Sequence, residues 1–150
     1  MLRDPNLVPL SHQHHNALAM CVLTRRALGE DASPANVSRL ARRAIDRYEL
    51  ELANHFEIEE KILFPAIQNA LGELPLAAEL IAQHRAVENL VAQLRSSPSA
   101  VLLEQLCALL TAHIRREEGD LFQMAQARLP APVLRSLGAA IAEKAVRICL

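Results

Sequence analysis

The stretch His55-Phe56-Glu57-Ile58-Glu59-Glu60-Lys61-Ile62-Leu63-Phe64 returns 58 residues later as His113-Ile114-Arg115-Arg116-Glu117-Glu118-Gly119-Asp120-Leu121-Phe122. Both copies read His-x-x-x-Glu-Glu-x-x-Leu-Phe. On a helix, a His and the Glu four positions on share a face, about one turn apart. An imidazole and a carboxylate converging from one face, twice in one chain, suit a metal site. A hydrogen-bonded core His beside a solvated Glu-Glu pair accounts well for one copy alone. It accounts poorly for two copies with the same downstream apolar pair.

The elements that must carry these residues are helical. Half the residues are apolar, only four of them aromatic, and there are four glycines among long runs of good helix formers. Ser11 is the expected cap of a first helix over about 11–29, which Gly29 ends. Ser33-Pro34 opens a second helix that runs to about 70, with Pro65 expected to kink or loosen it. Gly72 and Pro75 mark the next turn, and a third helix spans about 75–95. After Ser96-Ser97-Pro98-Ser99 a fourth covers about 99–128. Leu129-Pro130-Ala131-Pro132 precedes a last amphipathic helix over about 132–148. Short connections predict an all-α fold, an up-down-up-down antiparallel four-helix bundle (about 11–128) with an additional C-terminal helix, as one domain over 1–150.

Apolar spacing then places the chemistry inside. The second helix reads Ala41, Ile45, Tyr48, Leu52, His55, Glu59, Ile62 and Ala66 along its stripe, in steps of three and four. The fourth reads Leu103, Leu106, Leu110, His113, Glu117, Leu121 and Met124. His14 follows Leu10 on the first stripe, and His84 lies among Ala77, Leu80, Val87 and Val91 on the third. Buried ionisable groups cost several kcal/mol each unless paired or metal-bound. A metal pair removes that cost by taking neutral imidazole and ionised carboxylate together. The predicted ligands are His14, His55, Glu59, His84, His113 and Glu117. His15 competes with His14; His12 and His15 otherwise read as outer or solvated groups. Imidazole and carboxylate without thiolate suit iron or manganese, with zinc as the alternative.

Several function classes are excluded by composition. A formal charge of −1 gives no electrostatic footprint for nucleic acid or an anionic membrane. No apolar run approaches the ~18 residues a membrane span needs, and the first residues do not open a signal peptide. Cys21, Cys107 and Cys149 are odd in number and sit in apolar surroundings, so reduced thiols and a cytoplasmic location are expected. A homodimer is left open.

The order of one His, His-x-x-x-Glu, one His, His-x-x-x-Glu resembles the hemerythrin-like HHE cation-binding domain family. Pro9-Leu10-Ser11-His12-Gln13-His14-His15-Asn16-Ala17-Leu18 and the two repeated stretches carry the resemblance, over about residues 8–128. It implies a non-haem di-iron centre (two iron ions, Fe-O-Fe type) that binds or senses O2 or NO, or handles iron. Oxygen-carrying hemerythrins have a second His one turn before the third-helix ligand, where this chain has Leu80. They also use an acid five residues after the fourth-helix His, which would select Glu118. The lower His count moves the reading from reversible O2 carriage toward sensing, iron handling or redox chemistry. The ferritin-like Glu-x-x-His pattern is absent. Two other readings stand beside this one: a di-iron enzyme for peroxide reduction or repair of oxidatively or nitrosatively damaged iron centres, and a metal-free helical interaction domain.

Overall fold

The computed structural model describes residues 2–148; Cys149 lies outside them. Among the described residues there are five helices and no strand: α1 Val8–Glu30, α2 over 34–71, α3 Pro75–Ser96, α4 over 100–128 and α5 Ala131–Lys144. Helices α1 to α4 pack in a ring, α1 on α2 and α4, and α3 on α2 and α4, while α5 lies outside against α1 and the second half of α2. The helix starts after Ser33 and Ser99 are capped as their sequence suggests. Ser33 accepts from the Asn36 N–H at 3.4 Å and Ser99 from the Leu102 N–H at 3.1 Å. Gly72, at φ 91°, closes α2 in a conformation that costs a side-chain-bearing residue about 1–2 kcal/mol.

Two expectations are corrected at the ends. Helix α1 begins at Val8 with Pro9 in its first turn, so Ser11 is no cap and is free to bond elsewhere. The lead-in is docked, since Leu7 is fully buried and Arg3 donates to Gln126 Oε1 at 2.9 Å. Helix α5 stops at Lys144, and residues 145–148 continue without regular structure, so Ala145 and Ile148 are not helical.

Helix α2 loosens just before Pro65: it widens into a π turn at Glu59–Leu63, where the Phe64 N–H bonds the Glu59 carbonyl five residues back. The Lys61 carbonyl that Pro65 would crowd lies within that wide turn. Helix α4 does the same at Glu117–Leu121, and α2 has another π turn at Tyr48–Leu52. Each wide turn holds one extra residue and rotates the face that follows. The buried positions therefore step by fours, His55-Glu59-Leu63-Ile67 and His113-Glu117-Leu121-Ala125, and the expected Ile62, Ala66 and Met124 are only partly buried.

The core forms two apolar blocks. One gathers Met20, Leu40, Leu52, Phe56, Val87, Leu94, Leu106 and Leu110; the other gathers Leu10, Leu63, Phe64, Leu80, Leu121, Phe122 and Ile141. A buried polar layer lies between them in sequence register on all four helices: His14, His55 with Glu59, His84, and His113 with Glu117.

Candidate metal centre

The structure brings together all six residues singled out by spacing, each 0–3% exposed. They form two overlapping groups whose ligand atoms lie within 4.8 Å of one another: His14, His55, Glu59 and Glu117, and Glu59, His84, His113 and Glu117. The two carboxylates belong to both groups. Glu59 reaches His55 Nε2 and His84 Nε2, each at 3.1 Å. Glu117 reaches His14 Nε2 at 2.9 Å and His113 Nε2 at 3.0 Å, with His84 and His55 at 3.8 and 3.9 Å. Each half thus offers two imidazoles, and the acids sit between the halves.

Every Nδ1 is tied on the outside. His14 Nδ1 meets Glu118 Oε1 at 2.7 Å, and His84 Nδ1 meets Glu60 Oε2 at 3.0 Å. His55 Nδ1 meets Gln13 Oε1 at 2.9 Å, and His113 Nδ1 meets Gln83 Oε1 at 2.7 Å. An acceptor on Nδ1 holds the proton there and leaves the Nε2 lone pair facing the interior. The arrangement repeats across the bundle: Gln13-His14 and Gln83-His84 face the two His-x-x-x-Glu-Glu stretches, with the second Glu of each stretch on the opposite lone His. Arg3 and Ser11 hold Glu118, and Arg85 holds Glu60. Aromatic rings fix the imidazole planes, Phe56 stacking on His84 at 3.9 Å and Phe122 on His14 at 5.3 Å.

The inward atoms are not satisfied by the protein. His55, His84 and His113 Nε2, both Glu59 oxygens and Glu117 Oε1 are buried with no hydrogen-bond partner. His14 Nε2 and Glu117 Oε2 are hydrogen-bonded at 2.9 Å, whereas the other imidazole–carboxylate contacts are near in distance yet misaligned for hydrogen bonding. Orphaned buried atoms of this kind cost about 1–3 kcal/mol each, more when charged. Four inward imidazole lone pairs and two shared carboxylates fit a pair of borderline cations, so the residues present fit the metal they suggest.

Protonation without metal follows from the same contacts. Burial opposes a charge on His55, but Glu59 and Glu117 outweigh it and raise its pKa to about 10. Burial likewise opposes charging of His84, and the same two carboxylates raise it to about 9. His14 is also raised, by Glu117 and Glu118 acting against burial and against His55. Glu59 and Glu117 are held below the ordinary carboxylate range because the imidazoles outweigh their burial. Burial pushes Glu118 up, yet His14, Ser11 and Arg3 bring it to about 2.

The alternatives fall outside the cluster. His15 is exposed, and His12 lines a surface groove with Val8, Pro9 and residues 145–148. Glu118 bonds the outer nitrogen of His14 and belongs to neither group of four. Tyr48 packs on Phe56, 6.4 Å between centroids, rather than on an imidazole. Spacing missed Gln13, Gln83 and Glu60, although Gln directly before His at both 13–14 and 83–84 was a usable signal.

No helix among the described residues is long and apolar enough to cross a membrane. Comparison with curated proteins and with solved structures returned no match. A family model for the hemerythrin HHE cation binding domain matches residues 8–125, which include the buried His and Glu cluster and the Gln and Glu partners around it. The chain belongs to the hemerythrin HHE cation-binding domain family.

Proposed function

We propose that the chain holds two iron ions in this buried layer and uses them to bind or sense a small ligand, O2 or NO, or to respond to iron itself. His14 and His55 would hold one ion and His84 and His113 the other, with Glu59 and Glu117 shared between them. Four helices in up-down-up-down order, which the short connections at 31–33, 72–74 and 97–99 favour, would bring the donors to one level. The observation that carries the reading is the pairing of four tied Nδ1 atoms with three inward Nε2 atoms and three carboxylate oxygens that lack partners. Bound iron supplies positions open to small ligands and a redox couple.

The residues of the chain do the rest. Glu118, Glu60, Gln13 and Gln83 hold the proton on each Nδ1, so that Nε2 would be the ligating atom, and fix each ring's plane. The two apolar blocks exclude water above and below the layer. Exposure of 3% or less at all six residues admits a diatomic molecule or peroxide more readily than an organic substrate. That favours sensing or iron handling over an enzyme with a larger substrate. Free Cys21 and Cys107 suit a reducing, cytoplasmic setting.

The test is metal analysis of protein purified without chelator, with an optical spectrum before and after exposure to NO. About two irons per chain and a spectrum that responds to NO are expected. Loaded protein that ignores NO and O2 but turns over peroxide would favour the enzyme instead. Protein that takes up no metal under anaerobic ferrous iron would overturn the reading.

A further inference from the structure

We infer that residues 145–148 form a strap whose docking is coupled to the metal state of the His14/His55 half through the side-chain amide of Gln13; this rests on the metal-binding reading above. The strap leaves α5 at Lys144 and crosses the outer side of the polar layer. It is fastened by side-chain amides. Asn54 Nδ2 donates to the Lys144 carbonyl at 2.9 Å, and the Val146 N–H donates to Asn54 Oδ1 at 3.0 Å. Gln13 Nε2 donates to the Val146 carbonyl at 3.1 Å and to Asn54 Oδ1 at 3.0 Å. Val146 is therefore bracketed on both peptide faces, as a neighbouring strand would bracket it. Asn16, which also donates to the buried Glu51 carboxylate at 2.8 Å, reaches the Ile148 carbonyl at 3.4 Å.

The other end of the same Gln13 amide is Oε1, which accepts from His55 Nδ1 at 2.9 Å. Gln13 is 1% exposed and has no freedom to serve the two ends separately. A cation on His55 Nε2 polarises the Nδ1–H bond and strengthens its hydrogen bond to Gln13 Oε1. Polarisation passes along the amide and improves Nε2 as a donor to Val146. Loading then tightens the strap, and by reciprocity a docked strap tightens the metal by the same factor. The counterpart Gln83 serves His113 on the far side of the bundle, where the strap does not run.

Trypsin reads the docking directly, because Lys144 precedes the strap and Arg147 lies within it. Metal content is measured first on the full chain, loaded with ferrous iron without oxygen or stripped by chelator. Failure to load counts against the metal reading and not against the strap. In loaded wild type, cleavage after Lys144 should be about fivefold slower than in stripped protein, the population change one ordinary hydrogen bond produces. Gln13→Glu keeps an acceptor for His55 but loses the donor to Val146, so loaded and stripped forms should be cut at one rate. Gln83→Glu should preserve the wild-type difference. Should Gln13→Glu fail to load metal, Asn54→Ala releases the strap without touching His55. It should then be cut fast in both states and lose iron about fivefold faster to a chelator than wild type. Equal cleavage of loaded and stripped wild type, or unchanged iron retention in Asn54→Ala, would overturn the inference.

Discussion

Metal binding should expel protons, and the structure says from where. Without metal, the pKa of His55 stands at about 10 and that of His84 at about 9, so both rings are charged at pH 8. Only neutral imidazole ligates, so filling both halves at pH 8 must release about two protons from these rings. The apparent affinity for the pair should therefore rise by about two log units per pH unit near neutrality and flatten above pH 9–10. The stability of metal-free protein runs the other way. Raised imidazole pKa values contribute stability that is full below ~6.5, the ordinary His value, and is lost as pH climbs through 9 and 10. Lowered Glu59 and Glu117 contribute stability that is present above ~4.5 and lost as pH falls. Metal-free protein should be most stable between those limits, and bound metal should add relatively more stability as pH rises. Calorimetric titration with a divalent cation in two buffers of different ionisation enthalpy counts the protons. Release of none at pH 8 would refute the protonation argued from these contacts.

Other outcomes follow from single positions. Glu117→Ala removes a carboxylate shared by both halves and should abolish two-metal loading. Glu118→Ala removes only the outer partner of His14 and should weaken affinity about 10–100-fold at unchanged stoichiometry; equilibrium dialysis separates the two, and the reverse pattern would make Glu118 the ligand. Gly138→Ala should lower the urea midpoint: its Cβ would lie 2.1 Å from Asn6 Oδ1 and 2.6 Å from Asn6 Cβ, costing about 1–3 kcal/mol against a helix-propensity gain of about 1. Gly119→Ala, which meets no atom within 4 Å, should be neutral or stabilising in the same assay. Chelation at pH 7.5 should lower the melting temperature by about 5–10 °C while far-ultraviolet helicity persists, because binding at 100 times Kd adds about 2.7 kcal/mol and the apolar blocks remain.

The chemistry of the site was legible because His-x-x-x-Glu is itself a helical spacing and occurs twice. His14 and His84 could be placed because the apolar residues around them set the inward stripe. The wide turns were not legible. An i→i+5 turn at Glu59–Leu63 or Glu117–Leu121 uses the same residue types as an ordinary helical turn, and it shows only when the apolar face moves from Ile62 to Leu63 and from Met124 to Ala125. Pro65 announced a disturbance whose form depends on which hydrogen bond gives way. The outer partners were hidden for another reason. Gln13 and Glu60 are polar residues beside ligands, and whether they face water or an imidazole depends on how neighbouring helices rotate. Ser11 looked like a cap because Ser before an apolar run usually is one; here Leu7 starts the helix and Ser11 serves Glu118.

The most direct test of the central claim is a crystal structure of iron-loaded protein with anomalous scattering recorded at the iron edge. Two peaks per chain are predicted, one bonded to Nε2 of His14 and His55 and the other to Nε2 of His84 and His113, with Glu59 and Glu117 reaching both. A single peak, or iron on Glu118, His12 or His15 with the buried layer empty, would contradict the account.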